Sequence, residues 1–420
     1  MDASRKKKIT IVGGGIIGCL IAIHFKKKNY EVTILEQKKY LGGVLRDYEI
    51  KNDFFFRGCQ YLENGIDWID QLKMISREKF NSFKYNYASN NIFNEETLLK
   101  KDLAVPIFKF KNISKKKFKL NNTKNSSLVD KISFFPKEIK KKLINFIKNC
   151  GLDPKEIHYD CAQNLQISRI NILNSDLELM KLKSDKSIFD ENLAVSRKIK
   201  KANDLFYSTP LNGYSKMFDK ILLNLKKMGI QIILNTKVEP VWIENKLILK
   251  YDEKKISDSL IFWSGNPTNL IYNFNKKKIK SNIFKTLQIS ANISSHYKKN
   301  FFLQNFSDKS KILRIQTYIL RKKNKIGVEC LFTNNPSSNI LNESRKILSK
   351  LKINFKIFDK TIVKYPLPRF DVYTVSDQKI INEFQNKTKN SNLLYSPWLI
   401  YGRRKKIEKI IDFLVRKKIY

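Results

Sequence analysis

Three glycines and one acid near the start of the chain carry its clearest chemistry. Gly13, Gly15 and Gly18 are spaced G-x-G-x-x-G, and Glu36 follows eighteen residues after the last of them. In this spacing the first glycine permits a tight turn and the second leaves the backbone bare for a pyrophosphate; the third lets a helix pack closely on a strand. A helix that begins with Ile16 and Ile17 offers free N–H groups and a partial positive charge to phosphates. Glu36, with Gln37 beside it, can accept hydrogen bonds from a ribose diol and would repel a 2′-phosphate, which argues against NADP. The chemistry is capture of a dinucleotide.

The elements that must hold these residues are legible around them. Ile9 to Val12 is a short β-branched run suited to a buried strand. Ile16 to Phe25 predicts an apolar helix, ended by Lys26-Lys27-Lys28-Asn29, and Glu31 to Leu35 predicts a second strand that delivers Glu36. Strand, glycine turn, helix, strand and terminal acid form the dinucleotide-binding fingerprint in the context it requires.

The chain has 420 residues, enough for two or three domains, and its 42% hydrophobic content describes a globular protein. Its 82 Lys and Arg against 39 Asp and Glu give a formal charge of +43. That excess alone would suggest nucleic acid or an anionic membrane. The lysines, however, are spread along the whole chain among Asn, Ile and Phe, as a low-GC coding bias would place them. No zinc-finger spacing or RNA-binding aromatic pattern accompanies them. The expected partner is a small-molecule substrate, with no specific nucleic acid; the basic surface leaves room for peripheral membrane contact. Cys19, Cys59, Cys150, Cys161 and Cys330 are odd in number and form no C-x-x-C pair, which fits a reducing compartment without disulfides. Cys150, His158 and Cys161 lie close in sequence but lack a fourth ligand at zinc spacing, so no metal is expected. The longest apolar run, Ile9 to Phe25, is broken by glycines and too short for a bilayer. Preceded by Arg5-Lys6-Lys7-Lys8, it imitates a signal peptide, but the fingerprint accounts for it better, and the expected location is cytoplasmic.

Six residues past Glu36 comes Gly42-Gly43, followed by Val44, Leu45 and Arg46. This acid-x5-Gly-Gly pattern resembles the FAD-dependent flavoprotein superfamily of amine oxidases, protoporphyrinogen oxidases, phytoene desaturases and UDP-galactopyranose mutases. The resemblance implies that Gly42 and Gly43 border the FAD pyrophosphate. The commonest family pattern has arginine directly after the pair; this chain has Val44 there, and Arg46 takes the implied flavin role. Phe54 to Leu62 resembles the family's stretch in which a glycine and a polar residue approach the flavin ring; read without the family, it is a buried strand and a turn. A second block, Tyr207 to Leu270, resembles the family's return to the FAD domain. It runs as Pro210-x-x-Gly213, an amphipathic helix from Met217 to Met228, a strand from Ile230 to Leu234, then Asn235-Thr236-Lys237-Val238. Strands from Val241 to Leu249 and from Ser259 to Trp263 follow, before the loop Ser264-Gly265-Asn266-Pro267. The resemblance implies that Val238 contacts the adenine through its backbone and that Gly265 lies beside the cofactor. The last block, Tyr365-Pro366 through Tyr401-Gly402-Arg403-Arg404 and a terminal helix, is similar to the family's ending, especially in the mutase branch. There Gly402 and Arg403 would meet the flavin ring.

The fold class expected is therefore α/β: a Rossmann-like FAD-binding domain built from discontinuous segments, with an inserted α+β substrate domain. The FAD-binding parts are residues 1–79, 205–270 and 363–420. Residues 80–204 form a mainly helical cap, with helices at 137–149 and 175–184, and residues 271–362 a substrate-domain sheet. Helices are also expected at 66–80 and from Asn342 to Leu351. The function implied is an FAD-dependent oxidoreductase that passes hydride or electrons from a small organic substrate to flavin N5. The alternatives are a UDP-galactopyranose-mutase-like enzyme without net redox change, and a basic nucleic-acid- or membrane-binding protein with a vestigial nucleotide fold. No residue declares itself catalytic; with three histidines, acid–base work would fall to the flavin, a Tyr or a Lys, and His158 reads as structural.

Overall fold

The computed structural model describes residues 7–50, 53–58, 60–84, 86–90, 97–100, 127–133, 137–162, 164–165, 206–257, 259–280, 284–307, 309–367, 372–398 and 402–419. Cys59 and the helix expected at 175–184 lie outside them.

The centre is a five-stranded parallel sheet. Its strands are β1 (Lys8–Val12), β2 (Glu31–Leu35), β3 (Gln231–Ile233), β4 (Leu260–Trp263) and β5 (Leu393–Tyr395), in the spatial order β3-β2-β1-β4-β5. Ile11 pairs with Ile34 on one side and Phe262 on the other, and Ile261 pairs with Leu393. The strands read as near-continuous apolar runs because both faces are covered. On one face lie α1 (Ile16–Lys27), α2 (Tyr214–Lys227) and α3 (Arg403–Arg416), with the helix Asp67–Ser76, around Ile11, Phe25, Phe218, Phe262 and Ile410. On the other lie the helices Thr268–Asn275 and Val375–Lys387 and the hairpin Glu239–Ile243/Lys246–Tyr251, around Leu35, Leu249, Ile261 and Trp263.

Several boundaries differ from those expected, each for a local reason. The run Val241 to Leu249 is not one strand but parts of two, because Glu244 turns with φ +53° and Val241 folds back on Ile248. The helix expected at 66–80 stops at Ser76, where Arg77 takes φ +48°, and Phe80–Phe83 leaves as a strand. The helix sought from Asn342 begins at Ser337, directly after Pro336, and ends at Ser349. The helix Val375–Lys387 was not anticipated, although its signal is in the sequence: Thr374 and Asp377 form a capping box.

A mixed sheet of eight strands forms the second body. Its path runs through Phe355–Ile357, Thr286–Ser295, Lys323–Leu331, Ile312–Leu320, Phe301–Asn305, Asn86–Asn90 and Thr97–Lys100, with Val363–Pro366 paired to the second of these. The segments after residues 80 and 363 thus both enter sheets first, the former before the helices Leu128–Ile132 and Lys137–Asn149. One face of this sheet is apolar, with Leu287, Ile289, Ile326 and Val328 packed with Ile340 and Leu348 of the helix Ser337–Ser349. The alternate residues, Gln288, Ser290, Asn292, Arg314, Gln316, Lys325 and Glu329, are polar and equally buried.

The two bodies are joined where the strand Asp53–Phe55 crosses this polar face. Lys325 is wholly buried, and its ammonium donates to Asp53 Oδ1 at 2.7 Å and Asn292 Oδ1 at 2.6 Å. It also lies 4.1 Å from the centre of the Phe55 ring. Burial lowers the Lys325 pKa, and Asp53 opposes that shift. Removing one partner of such a pair leaves an uncompensated charge. Asp53→Ala is expected to cost about 3 kcal/mol, read as a lower urea midpoint. Asp53→Ala/Lys325→Met should recover most of it; a double variant no better than the single would show that the charge is not the cause.

Candidate functional site

The glycines of the first turn are fixed by what surrounds them. A side chain at Gly18 would sit 1.9 Å from the Gly13 carbonyl oxygen, so only glycine lets α1 lie this close to the end of β1. Gly15, by contrast, faces nothing within 4 Å. It is the N-cap of α1, with no side-chain cap and no acid in the first turn, and Ile16 and Ile17 follow it half-buried. The first-turn N–H groups of the helix thus have no side-chain cap, the condition that makes a helix N-terminus an anion seat. The second glycine pair closes on the same place. Gly42 N–H donates to Gly14 O at 2.9 Å, and a side chain on Gly43 would come 3.4 Å from Gly15 Cα. Gly265, in the loop after β4, lies against Gly13: its amide nitrogen is 3.5 Å from where a Gly13 side chain would begin.

Glu36 stands at the end of β2, buried, with its carboxylate aimed by two backbone donors. Gly14 N–H reaches Oε2 at 2.6 Å and Lys38 N–H reaches Oε1 at 2.8 Å. Each oxygen retains a lone pair, so the acid is held ready and can accept further hydroxyls. Gln37 is exposed beside it. Val238 is half-buried and borders a cavity of about 700 Å³ that Pro240, Lys250, Tyr251, Asn269 and Asn273 also line.

At the far end, Gly402 takes φ +88° as the N-cap of α3 and again faces nothing within 4 Å. Arg403 is turned away to other work: its guanidinium donates to Tyr61 O at 2.8 Å and to Glu63 at 2.5 Å, fastening α3 to the Tyr61–Glu63 segment. Arg46 is engaged similarly, with Leu41 O at 3.2 Å, Asp219 at 2.8 Å and the Tyr40 ring at 4.5 Å. Both arginines expected at the flavin thus bond protein partners, while Gly42, Gly43 and Gly265 lie against the first glycine turn.

Other candidates are quiet. Burial pushes the thiols of Cys19, Cys150 and Cys330 up to about 12, so none is a ready nucleophile. His158 is buried, with its backbone N–H on Tyr373 O. Among the described residues, no group of three or more His, Cys, Asp or Glu could hold a metal ion, and no helix is long and apolar enough to cross a membrane.

The sequence reading missed the residues that hold the strap between the two bodies. Phe56 N–H donates to Tyr318 Oη at 3.2 Å, and Tyr365 Oη–H donates to Phe56 O at 2.6 Å. The Phe56 ring stacks on Tyr318 at 4.6 Å, and Tyr48 stacks on Tyr365 at 4.2 Å. Burial raises the pKa of both phenols, keeping them protonated. Nothing short-range in the sequence announces these pairs.

Comparison with known proteins agrees with this fold. The family description of an NAD(P)-binding Rossmann-like domain matches residues 11–72. A 1-hydroxycarotenoid 3,4-desaturase of Flavobacterium sp. (strain P99-3) is 33% identical over 93 residues, a stretch that spans 22% of this chain and 19% of that protein. Reduced UDP-galactopyranose mutase superposes with a TM-score of 0.63 at 10% identity, covering 93% of this chain and 88% of the mutase. A CLA-producing fatty acid isomerase from P. acnes gives 0.55 at 10% identity over 99% of both chains. A putrescine oxidase variant gives 0.55 at 10% identity over 93% and 94%. At these identities the likeness is one of fold.

One buried acid next to Arg46 has a measurable consequence. Asp47 is buried at the N-terminus of α2, where Ser215 N–H donates to Oδ2 at 2.9 Å and Oδ1 has no partner. Burial pushes its carboxyl up to about 7, against the lowering influence of the Ser215 and Tyr214 amides, Arg321 and Arg46. The folded chain therefore keeps a proton that the unfolded chain releases near the ordinary carboxyl value of about 4. Stability contributed by this group is present below that value and is lost as pH rises towards about 7. Asp47→Asn should gain on the wild type between about pH 4 and about pH 7, measured as the difference in urea midpoints; parallel profiles would refute the assignment.

Proposed function

From a chain with the fold shared by UDP-galactopyranose mutase, putrescine oxidase and protoporphyrinogen oxidase, we propose an enzyme that binds FAD without a covalent link and uses it to oxidise a small polar substrate. The observation that carries this reading is the geometry of the cradle. Gly43 lies against Gly15 at the uncapped N-terminus of α1, Glu36 stands at the end of β2, and Gly402 begins a second helix without a side-chain cap. The residues present fit the group: bare backbone for a pyrophosphate and an oriented carboxylate for a ribose.

In this assignment Gly13, Gly15, Ile16, Ile17 and Gly18 seat the pyrophosphate from one side and Gly42 and Gly43 from the other. Glu36 orients the ribose, with Gln37, Val238 and Gly265 at the adenosine end; Gly402 borders the ring. Arg46 and Arg403 act one step removed, by fixing the loop after Gly43 and the start of α3. FAD, when bound, supplies the acceptor for hydride or electrons. The polar face of the eight-stranded sheet turns towards the Phe56 strap, because Tyr318 lies on it with Gln316 and Ser290. A buried face of Gln, Ser, Arg and Glu favours a substrate that hydrogen-bonds over a long polyene. That same face supports a second reading, action on a nucleotide sugar without net redox change; ring contraction of a UDP-hexose by the reduced protein would establish it.

The purified protein is expected to show the two-band visible spectrum of oxidised flavin, released by heat. Gly15→Val tests the cradle cleanly. Because Gly15 has φ −69° and ψ −179° and nothing within 4 Å, the apoprotein should keep its urea midpoint. FAD binding, however, should be abolished by a side chain in the pyrophosphate's place. A colourless wild type that FAD cannot reconstitute, or a yellow Gly15→Val protein, would overturn the proposal.

A further inference from the structure

The edge of the parallel sheet opposite the cradle collects the C-termini of its helices. α1 closes with Lys26-Lys27-Lys28 and leads into β2, and α2 closes with Lys226-Lys227 and leads into β3. α3 closes with Arg416-Lys417-Lys418, and Lys417 Nζ donates to Lys389 O, shortly before β5. Three clusters of cations thus stand along the side where the strands begin. Their hydrogen bonds go to uncharged oxygens, which leaves the charge uncancelled: Lys26 Nζ donates to Gly229 O at 3.2 Å and Lys27 Nζ to Gln71 Oε1 at 3.0 Å. Glu31, at the start of β2, is already tied to Lys8 at 3.3 Å. Helix dipoles favour cations in a last turn, which accounts for each cluster taken alone. They do not account for what lies among the clusters.

Large apolar side chains are exposed in the same place. Met74 is 76% exposed and Leu223 60%. They flank one hydrogen bond, in which Asn224 Nδ2 of α2 donates to Ile75 O of the helix Asp67–Ser76 at 2.7 Å. That helix is also the one Lys27 reaches at Gln71. Leu223 shares a face of α2 with Lys227, one turn on. Val415, 52% exposed, directly precedes Arg416. Single exposed apolar residues need no explanation, and contact with phosphates alone gains nothing from them. Cations interleaved with protruding apolar side chains are instead the composition of an interfacial membrane contact. We propose that this edge docks on a bilayer surface that contains anionic lipid. The lysines meet the headgroups, and Met74 and Leu223 enter the interface. The contact is independent of the cofactor reading, because the cradle lies at the other ends of the same strands. A docked chain keeps its cradle turned away from the lipid.

The test is co-sedimentation of the full chain with vesicles of pure phosphatidylcholine, or of equimolar phosphatidylcholine and phosphatidylserine. Wild type should bind the anionic vesicles and not the neutral ones, and added salt should weaken binding. All the residues exchanged are exposed, so each variant should keep the wild-type urea midpoint. Lys27→Gln/Lys28→Gln/Lys226→Gln/Lys227→Gln should weaken binding by about a hundredfold or more. Lys346→Gln/Lys350→Gln/Lys356→Gln/Lys360→Gln removes the same charge from the second body and should cost less than about threefold. Met74→Ser/Leu223→Ser should cost about tenfold at unchanged salt dependence. No binding to anionic vesicles, equal binding to neutral ones, or equal losses from the two lysine sets overturns the proposal. So does displacement of the vesicles by duplex RNA with Met74→Ser/Leu223→Ser without effect, which assigns the edge to nucleic acid.

Discussion

The whole site hangs on one close contact, the approach of α1 to the end of β1 at Gly18 and Gly13. No side chain fits in that gap, since its first carbon would lie 1.9 Å from a carbonyl oxygen. Because the helix is drawn in this far, its N-terminus points at the ends of the parallel strands, where an open α/β sheet places its ligands. The rest is built out from this point. Gly42 bonds to Gly14, Gly265 packs on Gly13, and Glu36 is aimed by the Gly14 amide. An added methylene at Gly18 would move the helix end and with it every group that converges there.

What was legible in the sequence is what short-range physics dictates. The glycine turn, the first two strands, α1 and the acid at the end of β2 follow from steric needs inside thirty residues, and the structure has them in place. The later blocks were legible as punctuation, and β3, β4 and β5 do return to the same sheet. Turns at Glu244 and Arg77 were not, because non-glycine residues there adopt positive φ without a local marker. The long-range pairs were invisible for a different reason. Asp53 with Lys325, Phe56 with Tyr318 and Tyr365, and Asp47 with α2 join residues 168 to 309 positions apart, and neither partner is unusual in its own neighbourhood. The ion pairs of Arg46 with Asp219 and of Arg403 with Glu63 show the same limit, since nothing local announces either partner.

The second sheet divides its labour by alternation. Along Thr286–Ser295 the odd residues from Leu287 to Ile293 build an apolar core against a helix, and the even ones from Gln288 to Asn292 build a polar interior. A sheet with one apolar and one polar buried face is unusual for stability alone, since each buried polar group needs its partner. Gly327 illustrates the accommodation: a side chain there would sit 2.5 Å from the Gln288 amide, so the strand gives up a side chain to let the polar layer close over it.

The assembly of the parallel sheet also constrains the order in which the chain can become functional. β1 and β2 emerge early in synthesis, yet β3 and β4 lie some two hundred residues later and β5 enters only at Leu393–Tyr395. Until then β4 has an unpaired edge, and α3, which supplies the open N-terminus at Gly402, does not exist. A cofactor arriving at the nascent chain would find half a cradle with sticky strand edges. The pocket therefore closes only once the chain has been made through α3, long after its first turn.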